Sequence, residues 1–312
     1  MTEPARTSSK PESAVKPLSD AADHYDAVAS TYHEQYERQR LYTADVYPAN
    51  YFRLQLLINS MTTKGVKKLY EVGVGEGTPI ATLARAGIDV WGCDISHKMV
   101  ERARENVKSA GLDSARISWG DIQDSTTYAQ AFTHAPFDAL IAMGVLPHVK
   151  NDDLVLDNMS ALIKPGGTVF VEFRNKLFSL FTFNRHTFEF IMDDLLADTD
   201  PALKASVAKE IQPRLRMDLP PVRDVMPGSG KPGYDAILSR FHNPFEVPAL
   251  FKRHGFDNLR YHWYHYHAAP PLLERAQAEL FRAESIRLEH EPSGWRGFFL
   301  CSAFVIEADK AI

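Results

Sequence analysis

Three glycines stand on alternate positions, Gly73, Gly75 and Gly77, directly behind the apolar run KKLYEV. Asp94 follows Gly77 by seventeen residues and closes a second apolar run, IDVWGCD. Backbone without side chains lets a ligand approach closely, and a carboxylate about one β-α-β unit later can accept that ligand's hydroxyl donors. The spacing excludes two common ligands. A dinucleotide turn needs a third glycine three places after the second, but Thr78 or Ile80 stands there, depending on the register. A phosphate-gripping loop needs Gly-Lys-Ser/Thr, and none follows. Gly120-Asp121-Ile122 brings a further carboxylate, and the tract YHWYHYH at 261–267 invites a metal reading. On a strand, however, His265 and His267 share one face while His262 points to the other. Three ligands do not converge from that tract alone, and no metal is expected.

The elements that must position these residues alternate. KKLYEV, IDVWGCD, ARISWGD, FDALIAMG and GTVFVEF are short runs rich in β-branched and aromatic residues, separated by amphipathic stretches such as 79–86 and 97–109. Strand alternating with helix predicts a parallel sheet with crossover helices. Gly166-Gly167 marks the turn into the fifth strand. Residues 1–20, rich in Pro, Ser, Lys and Glu, are expected to be a disordered tail. Residues 21–60 are expected to form a helical lid, with Tyr25, Tyr32 and Tyr36 on one helical face. A core over 61–175 follows, then an inserted cap over 176–240 with six prolines, then the rest of the core over 241–312. That last part predicts a helix over 244–254, a strand over 258–267, a helix over 271–288 and a strand over 296–307.

Glu71-Val-Gly73-Val-Gly75-Glu-Gly77, then Asp94, then Gly120-Asp121-Ile122, resemble the class I S-adenosylmethionine-dependent methyltransferases. The runs CDISHKMVERARENV and FDALIAMGVLPHV extend the resemblance over most of residues 66–175. It implies a Rossmann-like, doubly wound sheet of seven mostly parallel strands whose seventh is antiparallel. It also implies S-adenosyl-L-methionine as cofactor, which carries an amino acid end, a sulfonium, a ribose diol and an adenine but no pyrophosphate. Gly73, Gly75 and Gly77 would then pass close to its methionine and ribose parts. Glu71 would orient the turn or meet the ammonium through water, and Asp94 would accept both ribose hydroxyls. Asp121 would accept from the adenine amine, with Ile95 and Ile122 sandwiching the ring. Met143 would lie near the transferring methyl, and Tyr25 and Tyr32 would close over the cofactor. Each has a plainer alternative: packing for the glycines, a helix N-cap for Asp94, a turn for Asp121.

The acceptor should lie beyond strands four and five, the usual side for ligands in an open parallel sheet. His148 is the first candidate base, because an imidazole titrates near neutral pH, with anchoring of the next helix the alternative. Glu172 and His242 are further candidates. Arg174, Phe178, Phe181 and His265 are candidate acceptor contacts, with a solvated end-of-strand role the alternative for Arg174 and core packing for the phenylalanines. An Asn/Asp-Pro-Pro-Tyr/Phe tetrad after strand four is absent, and Met143-Gly144 stands where metal-dependent relatives carry an aspartate. These features point away from nucleobase and protein-glutamine acceptors and from a catalytic metal. The expected activity is methylation of a small organic acceptor, foremost a hydroxyl of a sugar, natural product or metabolite. Methylation of nitrogen or carbon, or a non-catalytic binding role, are the alternatives.

Composition agrees with a small partner. Thirty-five Lys and Arg against 40 Asp and Glu leave a net charge of -5, and the stretch 176–240 carries nine basic and nine acidic residues. Neither balance draws a polyanion, so no nucleic acid partner is expected. Two cysteines, each inside an apolar run, suggest a reducing compartment. With no apolar run near the length of a membrane span and no apolar leader, a cytoplasmic protein without a membrane partner is expected.

Overall fold

KLYEV and DVWGCD lie side by side as parallel strands β1 (Lys68–Val72) and β2 (Asp89–Asp94), with Leu69 opposite Val90 and Val72 opposite Cys93. The computed structural model describes residues 21–37, 47–228 and 230–312. The expected tail over 1–20 and part of the 21–60 segment lie outside them. Five further strands complete the sheet: β3 (Ile117–Trp119), β4 (Phe137–Ala142), β5 (Ile163–Arg174), β6 (Phe256–Tyr266) and β7 (Cys301–Lys310). Their spatial order is β3-β2-β1-β4-β5-β7-β6. β7 runs antiparallel to both β5 and β6, and the first five strands are parallel. The doubly wound sheet with its antiparallel seventh strand is therefore present.

Helices cover both faces. On one, Leu57 and Met61 of α2 (Ala49–Lys64), Ile80 and Leu83 of α3 (Thr78–Arg85) and Val100 and Ala103 of α4 (His97–Ser109) pack against Ile141, Phe170 and Val305. On the other, α5 (Ala129–His134), α6 (Asp152–Leu162) and α10 (Val247–Arg253) join Val171, Phe173 and Phe304. Burying one such large side chain contributes roughly 1.5–3 kcal/mol. These two layers are what hold the strand ends, and so the residues beyond them, in register. Ser96 starts α4 by accepting from the Met99 N–H at 3.1 Å, which fixes the turn directly after Asp94.

Three details differ from the sequence expectation. Tyr25 sits on α1 (Ala21–Val28), whereas Tyr32 and Tyr36 sit on a separate 3-10 turn, Tyr32–Tyr36. The three rings still meet, at centroid separations of 6.3 and 6.2 Å, by chain reversal and not by sharing a helical face. The stretch after Arg174 forms short helices α7 (Ser179–Thr182), α8 (Arg185–Glu189) and α9 (Pro201–Ile211), with isolated bridges joining Asn184 to Arg216, Val225 to Pro232 and Asn175 to His242. Near the C-terminus, Pro271–Ala276 is a 3-10 turn before α11 (Ala278–Leu288), and the short α12 (Gly297–Leu300) precedes β7.

Candidate active site

The order of strands reverses between β1 and β4, and a cleft opens beyond the carboxyl ends there. Its walls include Gly73, Gly75, Asp94, Ile95, Asp121, Ile122, Met143 and His148, with Tyr25 and Tyr32 above them. Two roomier hollows, of about 1010 and 720 Å³, lie elsewhere and carry none of the glycine turn. The cleft, of about 110 Å³, is singled out by its chemistry and not by its size.

The three glycines do different work. Gly73 has φ 72° and a side chain there would meet Val145 Cγ2 at 2.5 Å, so it lets the β4 loop close in. Gly75, φ 55°, would meet only the Tyr32 ring, at 3.8 Å, and so faces the cleft. Gly77 would meet the Ala103 backbone at 2.7 Å. Its smallness serves the packing of α3 on α4, and it is not part of the cleft lining.

Asp94 has its Oδ2 held by the Gly75 N–H and its Oδ1 by the Ser96 N–H, both at 2.8 Å. Burial pushes its carboxyl up to about 6, against the pull of these N–H donors. Each oxygen keeps a free acceptor site. Asp121 accepts from the Gln123 N–H at 2.9 Å, and its own N–H donates to Thr127 Oγ1 at 2.8 Å. Both carboxylates are thus oriented by backbone at the cleft rim.

Glu71 lies beneath the turn, 2% exposed, and its Oε2 has no partner. Burial raises its carboxyl well above the usual range, with Arg53 opposing and Asp94 and Glu76 adding to the rise. An unpartnered buried carboxylate oxygen calls for a cationic donor. Glu76, by contrast, is spent on Thr78 and on Asn106, 2.7 Å away.

His148 ends a 3-10 turn after β4, Leu146–His148. Its Nδ1 lies 2.7 Å from the Leu238 carbonyl, which can only accept, so Nδ1 carries the proton. Its Nε2 therefore offers a lone pair, and the Tyr25 hydroxyl donates to it at 3.0 Å. Burial lowers this imidazole below its ordinary value, and Arg174 adds to the effect. The ring is neutral at pH 7 with its basic nitrogen at the cleft wall.

The other two candidate bases are placed differently. Glu172 is buried in an ion pair with Arg53 of α2, which also donates to Tyr36 Oη at 3.0 Å. Both ends of this contact are buried between α2 and β5, and Glu172 is not among the residues lining the cleft. His242 packs edge-on against Phe173 at 4.8 Å, and its Nε2 lies 3.1 Å from Asp152 of α6. Arg240 grips the same carboxylate at 2.8 and 2.7 Å. This triad pins the returning chain to α6, and His242 is not in the cleft lining. Phe178 lies 6.4 Å from Phe181 and 4.5 Å from His267, also outside the cleft lining. His265, at φ 59°, stacks on Tyr47 at 5.1 Å and bonds Ser302 Oγ at 2.8 Å. His262 turns away to Glu307, 2.8 Å distant. Among the described residues no cluster of three or more His, Cys, Asp or Glu is poised for a metal.

Residues that the sequence reading passed over include Met99 and Gln123, both in the cleft wall. Gln123 directly follows the Asp121-Ile122 pair, a signal that was available. Leu238, Tyr234 and Ser239 also reach this region, from a stretch with no recognisable motif.

Residues 69–167 match the family described as "Methyltransferase domain". Ubiquinone biosynthesis O-methyltransferase of Azoarcus sp. (strain BH72) is 34% identical over 118 residues, 38% of this chain and 48% of that protein. The protein of the same name from Coxiella burnetii (strain Dugway 5J108-111) is 31% identical over 134 residues, 43% and 54% of the two chains. This chain spans about half the length of these curated relatives. In fold it is similar to an S-adenosylmethionine-dependent methyltransferase of Clostridium acetobutylicum ATCC 824, with TM-score 0.52, 11% identity and coverage of 93% and 100%. It is likewise similar to a possible histamine N-methyltransferase of Thermotoga maritima, with TM-score 0.50, 14% identity and coverage of 92% and 98%. Residues 69–167 thus match a methyltransferase domain, set in a fold shared with S-adenosylmethionine-dependent methyltransferases.

The residues fit the cofactor of that family. Asp94, a carboxylate able to accept from a diol, stands at the end of β2 in the cleft lining, and the Glu71 oxygen without a partner lies on β1, behind that lining. Gly75 opens the turn toward the cleft, while Ile95 and Ile122 supply apolar faces for a flat ring. In a methyltransferase domain this set would hold S-adenosylmethionine.

Proposed function

We propose that this protein transfers a methyl group from S-adenosylmethionine to a hydroxyl of a small organic acceptor, a metabolite, sugar or natural product, with His148 as general base. One observation carries the reading: His148 presents an unprotonated Nε2 at the cleft wall, and a hydroxyl, that of Tyr25, already donates to it at 3.0 Å. Bound in the cleft, the cofactor would supply an electrophilic methyl on its sulfonium. The remaining work belongs to the chain. An acceptor hydroxyl in the position now held by the Tyr25 phenol would release its proton to Nε2 as its oxygen becomes nucleophilic. The Leu238 carbonyl would keep the imidazole in the required tautomer and steady the imidazolium that forms. Tyr25 and Tyr32, together with the segment after Arg174, would exclude water.

A small acceptor accords with the balanced charge of residues 176–240. Cys93 and Cys301 are buried and unpaired, which suits a reducing, cytoplasmic setting. Among the described residues no helix is long and apolar enough to cross a membrane.

The test is methyl transfer from labelled S-adenosylmethionine to a panel of hydroxylated metabolites. His148→Ala should lower turnover by about 10²–10⁴ while affinity for S-adenosylhomocysteine holds. In the parent, the acid limb of the rate profile should lie below the ordinary histidine value, because burial favours the neutral ring. Full turnover in a folded His148→Ala protein would exclude this role. Cofactor binding without transfer to any acceptor would favour a binding module.

A further inference from the structure

Glu172 and Arg174 share one face of β5, two residues apart, at its carboxyl end, next to the cleft but not in its lining. The Glu172 charge is consumed by Arg53. Neighbouring arginines have partners of their own, Arg240 on Asp152 and Arg223 on Asp235. Arg174 has none: its Nη1 donates to the neutral Ser239 hydroxyl at 2.5 Å, and among the described residues no carboxylate pairs with it. Its guanidinium lies over the Tyr234 ring at 4.5 Å and near the Phe241 ring at 5.4 Å. The Tyr234 ring is in turn 5.7 Å from the ring of His148. The positive charge of Arg174 reaches Tyr25 and His148 alike. Stacking on ring faces leaves the edge of the guanidinium, with most of its five N–H donors, available in a fork that matches a carboxylate. A partly buried cation without a counter-ion is costly to keep.

We propose that Arg174 is the specificity-determining anchor of the acceptor, and that the acceptor is a hydroxylated aromatic carboxylate. Its hydroxyl takes the place of the Tyr25 phenol at His148 Nε2, and its carboxylate meets the open edge of Arg174. The inference rests on the methyltransferase reading and narrows its acceptor class.

The test uses the full chain loaded with S-adenosylhomocysteine. Calorimetry measures binding of 4-hydroxybenzoic, 3,4-dihydroxybenzoic and 4-hydroxycinnamic acids, each against its methyl ester. At least one acid should bind about 10- to 100-fold tighter than its ester, the range of a charge-assisted hydrogen bond. Arg174→Gln should erase that preference with ester affinity unchanged, and Arg174→Lys should restore part of it. Equal affinities, binding by none of the acids, or a preference that survives in Arg174→Gln would overturn the proposal. The acid-to-ester ratio of the parent decides the matter even where Arg174→Gln fails to fold. Failure of the parent to bind S-adenosylhomocysteine would instead sink the methyltransferase reading. An absent acid preference with intact cofactor binding would sink this proposal alone.

Discussion

Asp94 performs two tasks with one carboxylate, fixing the glycine turn through the Gly75 N–H and facing the cleft with its spare lone pairs. Burial holds its carboxyl up to about 6, so its charge is at risk just below neutral pH. A ribose diol donates to the ionised form, and protonation competes with that donation. Affinity for S-adenosylhomocysteine should therefore be flat above pH 7 and fall as pH drops through about 6. Asp94→Asn should weaken binding by about 1.5–3 kcal/mol and remove Asp94's share of the acid limb, both by calorimetry across pH 5–8. A flat profile in the parent would refute the assignment. The same residue shows how far sequence reaches at this scale. Asp94 was legible because its spacing from the turn is local and its neighbours are contiguous. Gly77 was not separable from Gly75, because the difference lies in Ala103, a residue on another helix.

Among elements, the contact that matters most joins α2 to β5. Arg53 and Glu172 are 6% and 7% exposed, so neither charge can be relieved by water. Tyr36 accepts from the same guanidinium at 3.0 Å, which ties the aromatic turn after α1 to this pair. Glu172→Gln leaves Arg53 buried without a counter-charge. Removing one member of such a pair costs on the order of 3–5 kcal/mol, and urea unfolding at pH 7 should show a loss of that size. Lower turnover with unchanged stability would instead return Glu172 to the catalytic group. Sequence placed both residues in the right elements, since each follows the period of its helix or strand. It did not pair them, because nothing within either stretch signals the other.

At the scale of the whole molecule, Glu307 of β7 gathers three elements. It accepts from Ser60 of α2 at 2.6 Å, from Arg260 of β6 at 2.6 Å and from His262 at 2.8 Å, while Lys64 lies at 3.2 Å. Burial alone would raise its carboxyl, but the hydrogen bonds from His262, Ser60 and Lys64 outweigh that and hold it well below the usual range. A depressed acid contributes stability above its unfolded value, and that contribution is lost as pH falls toward the folded one. Glu307→Gln should cost roughly 3 kcal/mol at pH 7, and the gap to the parent should close as pH falls below about 4.3, the unfolded glutamate value. Urea titrations of both proteins from pH 7 to 3 measure it, and a gap that widens on acidification would contradict the assignment. By itself the sequence determined the sheet, the glycine turn and the carboxylates after β2 and β3, because period and short-range spacing are written along the chain. Which of the three candidate bases stands in the cleft lining is a matter of tertiary structure alone. His148 is oriented by a carbonyl 90 residues away, and Glu172 is neutralised by an arginine 119 residues away. A proton's affinity depends on what is packed around the group, and that packing exists only once distant segments meet.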